Sequence, residues 1–259
     1  MDPLSPSLFH LLDGLQQQLA KVQKELDHVN GITSQQLLAL TTTLRSAFEA
    51  ERQKAQTFEH AIYEILLRIA TALHFRDYHT GKHLTRLSQY SMLLALQLGL
   101  PEPQVQLVYA AAPLYDLGKI GIPDALLLKP GRLQPEERAV IEMHPTLGTS
   151  LVTGVTSPLL ETARQIILTH HEHWDGSGYP QGLKGETIPL AGRIVMLAER
   201  YEALRCARPY RPALDHDHTL QVLLQGDEKT KPEHFDPALL KAFHAIHTDL
   251  AAIRDRRAS

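Results

Sequence analysis

The sequence predicts an all-α protein: one large helical domain preceded by a helical hairpin or short coiled coil. Three observations predict it. Apolar residues recur at helical spacing along most of the chain. The runs are separated by Gly- and Pro-containing breaks such as Gly99-Leu100-Pro101. No stretch alternates apolar and polar residues over a useful strand length.

Leu8, Leu12, Leu15, Leu19, Val22, Leu26 and Val29 alternate spacings of four and three, a heptad seam flanked by Gln, Lys and Glu. Asn30-Gly31 is a helix stop. Thr33 with Gln36 can form a capping box for a second helix. That helix runs through Leu37, Leu40, Leu44 and Ala47 and on to Phe58, Ile62, Ile65 and Ile69. Residues 1–57 therefore form an N-terminal helical segment, either a hairpin or a dimerising coiled coil, and residues 58–259 form the main domain. Within it, helices are predicted over 86–97, 105–117, 136–151, 159–171, 194–204, 219–224 and 237–253. Residues 118–132 and 175–189, rich in Gly and Pro, are predicted as loops.

The 259 residues are 43% hydrophobic and 21% charged, with a net charge of −3, an ordinary soluble globular composition. No global basic field points to a nucleic-acid polymer as partner, whereas a small anion needs only a local basic cluster. The single cysteine, Cys206, excludes a disulfide framework and any zinc site built on several cysteines, in keeping with a cytoplasmic location. The N-terminus lacks the basic start and apolar core of a signal peptide, and no run reaches the roughly 18 apolar residues of a membrane span.

The unusual number is 15 histidines, and their positions matter. His79 and His83 are four apart and share a face if that segment is helical. Asp116 and Lys119 close the most apolar predicted helix, His144 follows on the next, His170 and His171 end another, and Glu199 lies on the helix after the Gly-rich loop. Imidazole and carboxylate ligands without competing thiolates suit Fe, Mn or Zn. Any one of these residues alone has a structural explanation as a satisfied surface or core group. An aspartate at the end of a buried apolar helix is costly without a partner, and metal coordination is one way to offset that cost.

The stretch Leu114-Tyr-Asp-Leu-Gly-Lys-Ile-Gly-Ile-Pro-Asp124 resembles the HD segment of the HD-GYP family. The stretch His170-His-Glu-His-Trp-Asp-Gly-Ser-Gly-Tyr-Pro-Gln-Gly-Leu-Lys-Gly185 is similar to its GYP signature. Lys129-Pro-Gly131, Ile188-Pro-Leu190, Arg208-Pro-Tyr210 and His234-Phe-Asp-Pro237 follow in family order. The resemblance covers about three-quarters of the chain. It implies an HD-type helical bundle with a centre of two metal ions (one or three being the other counts), Fe or Mn, and hydrolysis of cyclic di-GMP to linear pGpG or GMP. It implies metal ligation by His83, Asp116, His144, His170, His171 and Glu199, with Asp116 bridging two ions. Lys119 would join Asp116 in catalysis at the scissile phosphate, and Tyr179, Arg208 and Arg211 would bind substrate.

The chain departs from the family at one metal position. Tyr115 stands where the family has the His of the HD pair, His79 where many members have Glu, Glu199 where the family has Asp, and Glu202 where it has a nearby Asp. Two readings follow. In one the site has adapted, with Tyr115 and His79 as replacement ligands. In the other the first metal is lost and the domain is a degenerate cyclic di-GMP-binding or protein-interaction signalling module. Expected partners are cyclic di-GMP, a second copy through the N-terminal helices, and signalling proteins.

Overall fold

The computed structural model describes residues 6–26, 34–76, 82–154, 157–207 and 212–255. Among them there is no strand, as expected. Contacts divide the chain into two compact units, Met1–Glu64 and Ile65–Ser259. Helix α1, Pro6–Leu26, carries most of the heptad seam. Helix α2, Ser34–Arg76, is one continuous run, and the boundary between the units falls inside it. The expected stop at Asn30-Gly31 and the cap at Thr33 lie outside the described residues.

The larger unit is built around α3, Lys82–Gln97, which packs against α4 (Glu102–Ala111), α9 (Leu190–Leu204) and α11 (Pro237–Asp255). Its buried positions Leu84, Leu87, Ser88, Ser91, Leu94 and Ala95 recur every three or four residues, the period that places them on one face. Tyr90 and Tyr201 meet edge to face at 5.2 Å in this core, joining α3 to α9.

Two prolines shape the site by breaking helices that the apolar pattern predicts as continuous. Pro113 has no N–H for the helical ladder, so α4 ends at Ala111 and the chain tightens into a 3-10 turn over Ala112–Leu114. Asp116 therefore sits between that turn and a second one, Leu117–Gly121, and not at the end of a long helix. After the short α5, Asp124–Leu127, the expected single helix over 136–151 is two: α6, Pro135–Ile141, and α7, His144–Leu151. Pro145 occupies the first turn of α7, where a missing N–H costs nothing. His144 thus begins a helix of its own.

Close glycine contacts then bring these pieces together. A Cβ on Gly118 would lie 1.9 Å from the His144 carbonyl oxygen and 2.5 Å from the Gly148 nitrogen. Only glycine permits that approach of the second 3-10 turn to α7. Helix α8, Pro158–Thr169, is capped by Ser157 and delivers His170 at its C-terminus. Gly192 on α9 receives Thr169, whose Oγ1 would be 2.0 Å from an added Cβ. Helix α10, His216–Gln225, capped by Asp215, completes the unit.

Candidate metal centre

Asp116, His144, His170 and His171 each direct one ligand atom to a common point, and these four atoms lie within 4.8 Å of one another. The first three are buried. His144 donates Nδ1–H to the Ile141 carbonyl at 2.8 Å, and His170 donates its own to the carbonyls of Ile166 and Ile167 at 3.1 and 3.0 Å. With Nδ1 engaged there, each ring turns its Nε2 toward the shared point, the atom that can offer a lone pair.

The two Nε2 atoms are 3.3 Å apart. Asp116 Oδ1 is 3.3 Å from that of His144 and 3.7 Å from that of His170. Oδ1 is buried with no hydrogen-bond donor. Three acceptors facing one point in a dry interior repel each other, and such groups are costly unless something is shared between them. A proton on either Nε2 serves only one of the other two acceptors, whereas a divalent cation serves all of them. The donor set therefore fits a metal ion.

Charge states agree with this geometry. Burial pushes the Asp116 carboxyl upward, but the Lys119 ammonium, 2.7 Å from Oδ2, together with the His144 and His170 rings, holds the group well below the usual range. Burial, reinforced by the neighbouring His170 and His144, pushes His171 well below its ordinary value, which keeps a lone pair available. The His171 ring stacks on Tyr179 at 4.6 Å, which fixes its orientation.

A second group, His83, Glu202 and Cys206, also has ligand atoms within 4.8 Å of one another, but its chemistry differs. Glu202 is fully buried and accepts from Arg86, from Arg254 at 3.3 Å and from Cys206 Sγ at 3.2 Å. His83 Nδ1 is 3.3 Å from Glu202, and its Nε2 is 3.2 Å from the Tyr115 hydroxyl. That hydroxyl is in turn 3.3 Å from His74 Nε2, and His74 Nδ1 bonds the Ala70 carbonyl at 2.8 Å. Burial acts to lower the His83 pKa, but its contacts with Cys206 and Glu202 raise it to about 9. Burial acts to raise the Glu202 pKa, but His83 and Arg86 bring it down to about 2. Desolvation lowers that of His74 and favours the neutral ring. One proton order fits these four contacts: His83 donates to Glu202 and to Tyr115, Tyr115 to His74, and His74 to Ala70. The anion at this position is balanced by guanidinium and imidazolium groups, so the residues do not fit a metal ion.

A pocket of about 610 Å³ opens on the first group. Its walls carry Arg138, Arg200 and Lys229 against the single carboxylate Glu199, a local excess of positive charge in a chain of net −3. Arg200 is steadied by Thr230 Oγ1 at 2.6 Å. His173 and His234, stacked at 4.1 Å, form part of the wall. The Gly-rich segment beside the pocket is held by Glu172, whose buried carboxylate accepts from the backbone N–H groups of Gln181 and Leu183 at 2.7 and 2.9 Å.

A family model described as an HD domain matches residues 69–239. The chain belongs to the HD domain family. Relatives of this HD domain include a cyclic di-GMP phosphodiesterase of Vibrio cholerae serotype O1, 39% identical over 227 residues, covering 83% of this chain and 45% of the relative. The cyclic di-GMP phosphodiesterase response regulator RpfG of Xanthomonas campestris pv. campestris is 42% identical over 191 residues, covering 70% of this chain and 50% of the relative. The chain thus spans about half the length of these curated relatives. Among solved structures, Bd1817, an HDG"Y"P protein from Bdellovibrio bacteriovorus, superposes with a TM-score of 0.50 at 19% identity, over 78% of this chain and 64% of that one. That likeness establishes the shared helical fold.

In this HD domain, Asp116, His144, His170 and His171 converge, Lys119 pairs with Asp116, and Tyr179 stacks on His171. Glu199 lies on the pocket wall and is not among the four converging residues. His83 and Tyr115, expected or considered as ligands, are found in the hydrogen-bond chain of the second group. His79, Arg208 and Arg211 lie outside the described residues. Sequence reasoning missed His74, Arg86 and Arg254, the residues that balance Glu202 and Tyr115, and the pocket cations Arg138, Arg200 and Lys229. Lys229 lies in a loop, and the only signal of the others was a helical spacing that surface residues share.

Proposed function

We propose that this HD domain is a metal-dependent phosphodiesterase that hydrolyses cyclic di-GMP to linear pGpG or GMP. The observation that carries the reading is the orphaned Asp116 Oδ1 facing two imidazole nitrogens beside a cation-lined pocket. The kinship with proteins named cyclic di-GMP phosphodiesterases supports the substrate.

We assign Asp116, His144, His170 and His171 as ligands of an iron or manganese ion, with Glu199 as a further carboxylate for that ion. When bound, the ion supplies charge neutralisation of the phosphodiester and lowers the pKa of a coordinated water. The chain's own residues supply the rest. Lys119, held on Asp116 Oδ2, presents an ammonium to a phosphate oxygen. Arg138, Arg200 and Lys229 draw the dinucleotide in, and Arg208 and Arg211, matched to the family's phosphate-binding positions by the sequence resemblance, are assigned to the second phosphate. Tyr179 holds His171 in its ligating orientation, and the His173–His234 stack offers a face to a guanine base. We further propose a cytoplasmic setting, signalling-protein partners, and a homodimer through α1 and α2, where Leu15, Val22, Leu38 and Leu44 remain exposed. Among the described residues no helix is long and apolar enough to cross a membrane.

A second reading, a cyclic di-GMP-binding module without turnover, is favoured by the ion-pair network at Glu202. One experiment separates the two. Protein loaded with Mn²⁺ or Fe²⁺ is incubated with cyclic di-GMP and the products are resolved by chromatography. Appearance of pGpG or GMP that stops on adding a chelator supports the enzyme; binding by calorimetry with no product supports the module.

A further inference from the structure

We infer that the centre holds a single metal ion and that the chain's own cations occupy the place of a second one. The inference rests on the metal-dependent reading above and concerns the number of ions. A carboxylate that bridges two metals gives one oxygen to each. Here Asp116 gives Oδ1 to the point shared with His144 and His170, while Oδ2 is 2.7 Å from the Lys119 ammonium. The bridge is completed by a lysine.

The neighbouring position is closed in the same way. Glu202, the buried carboxylate beside His83, has both oxygens engaged by guanidinium groups of Arg86 and Arg254, which stay charged at any working pH. His83 has both ring nitrogens in use, one on Glu202 and one on Tyr115. The Tyr115 hydroxyl lies between His83 and His74, its donor and acceptor capacity matched to two imidazoles. A metal ion at this point would have to displace two arginines from a carboxylate and sit beside their charge. The network is thus a substitute for a metal site, and losing one histidine to Tyr115 is only part of it.

The test is a metal count on the full chain, reconstituted with excess Mn²⁺, desalted and measured by plasma mass spectrometry, with the Mn²⁺ signal read by electron paramagnetic resonance. One ion per chain and the six-line spectrum of an isolated ion are expected. His83→Gln and Glu202→Gln should keep that count, with circular dichroism confirming that they fold, while His144→Ala should bring it to zero. Tyr115→His, which restores a histidine but leaves Arg86 and Arg254 on Glu202, should also stay at one. Two ions per wild-type chain, a spin-coupled spectrum, or loss of the ion in folded His83→Gln would overturn the inference. A second ion gained by Tyr115→His alone would overturn the part assigned to the arginines. A count of zero in the wild type would overturn the metal-dependent reading as well, so the two failures are told apart by the number itself.

Discussion

Lys119 holds Asp116 by one oxygen, at 2.7 Å, and so leaves the other, Oδ1, as the atom turned toward His144 and His170. The three-residue spacing that makes this pair possible is local. The partners of Oδ1 come from α7 and the end of α8. A charged carboxylate is what the three-acceptor arrangement needs from Asp116. Asp116→Asn keeps the shape and removes the charge. It should weaken Mn²⁺ binding by more than ~100-fold, since even indirect contacts to a metal ligand are worth ~10–100-fold. Equilibrium dialysis measures this, and unchanged affinity would remove Asp116 from the ligand set.

Gly118→Ala tests how the two halves of the centre are joined. Its new Cβ would meet backbone atoms of His144 and Gly148, which have no flexible end to move aside. We expect a loss of about 3 kcal/mol, at the upper end for a single substitution, read as a lower urea midpoint. Metal affinity should fall as well, because α7 must retreat and carry His144 with it.

The Glu202 network predicts a pH dependence. His83 is raised from 6.5 to about 9, so its contribution to stability is full below 6.5, declines as pH rises, and is gone above about 9. Glu202 is lowered from 4.5 to about 2, so its contribution is full above 4.5 and is lost as pH falls toward 2. Thermal melts of the wild type should therefore drop between pH 7 and pH 10. His83→Gln, with no titrating ring, should show a flatter profile in that window; an equal slope would mean that His83 does not carry the charge.

Lys229 belongs to the pocket wall and to none of the metal-ligand contacts. Lys229→Ala should raise KM for cyclic di-GMP by about tenfold, the equivalent of 1.4 kcal/mol, with kcat nearly unchanged. The effect should shrink as salt rises, because the interaction is screened. A drop in kcat at constant KM would place Lys229 in the chemistry and not in capture.

Glu172 organises the Gly-rich segment through two backbone bonds. Glu172→Ala strands two N–H groups, each worth about 1–3 kcal/mol when left unsatisfied. Hydrogen exchange at Gln181 and Leu183 should accelerate while α3 and α9 stay protected. Global loss of protection would show that the carboxylate supports the whole core.

The sequence by itself determined the helical class, the order of most helices, and the candidate ligands Asp116, His144, His170 and His171. Helical periodicity is a local property, and residues joined to a Gly- or Pro-rich break declare themselves at short range. It did not determine where those helices stop. Pro113 and Pro145 break two predicted runs, and the breaks let Asp116 and His144 face each other. Nor did it separate His83 from the other histidines. Its partners are Glu202, 119 residues away, and Tyr115, 32 residues away, and the charge on Glu202 is balanced by Arg86 and Arg254 from two different helices. Whether a buried carboxylate meets a metal or an arginine depends on which side chains fill the few ångströms around it. That neighbourhood is assembled only when α3, α9 and α11 pack together.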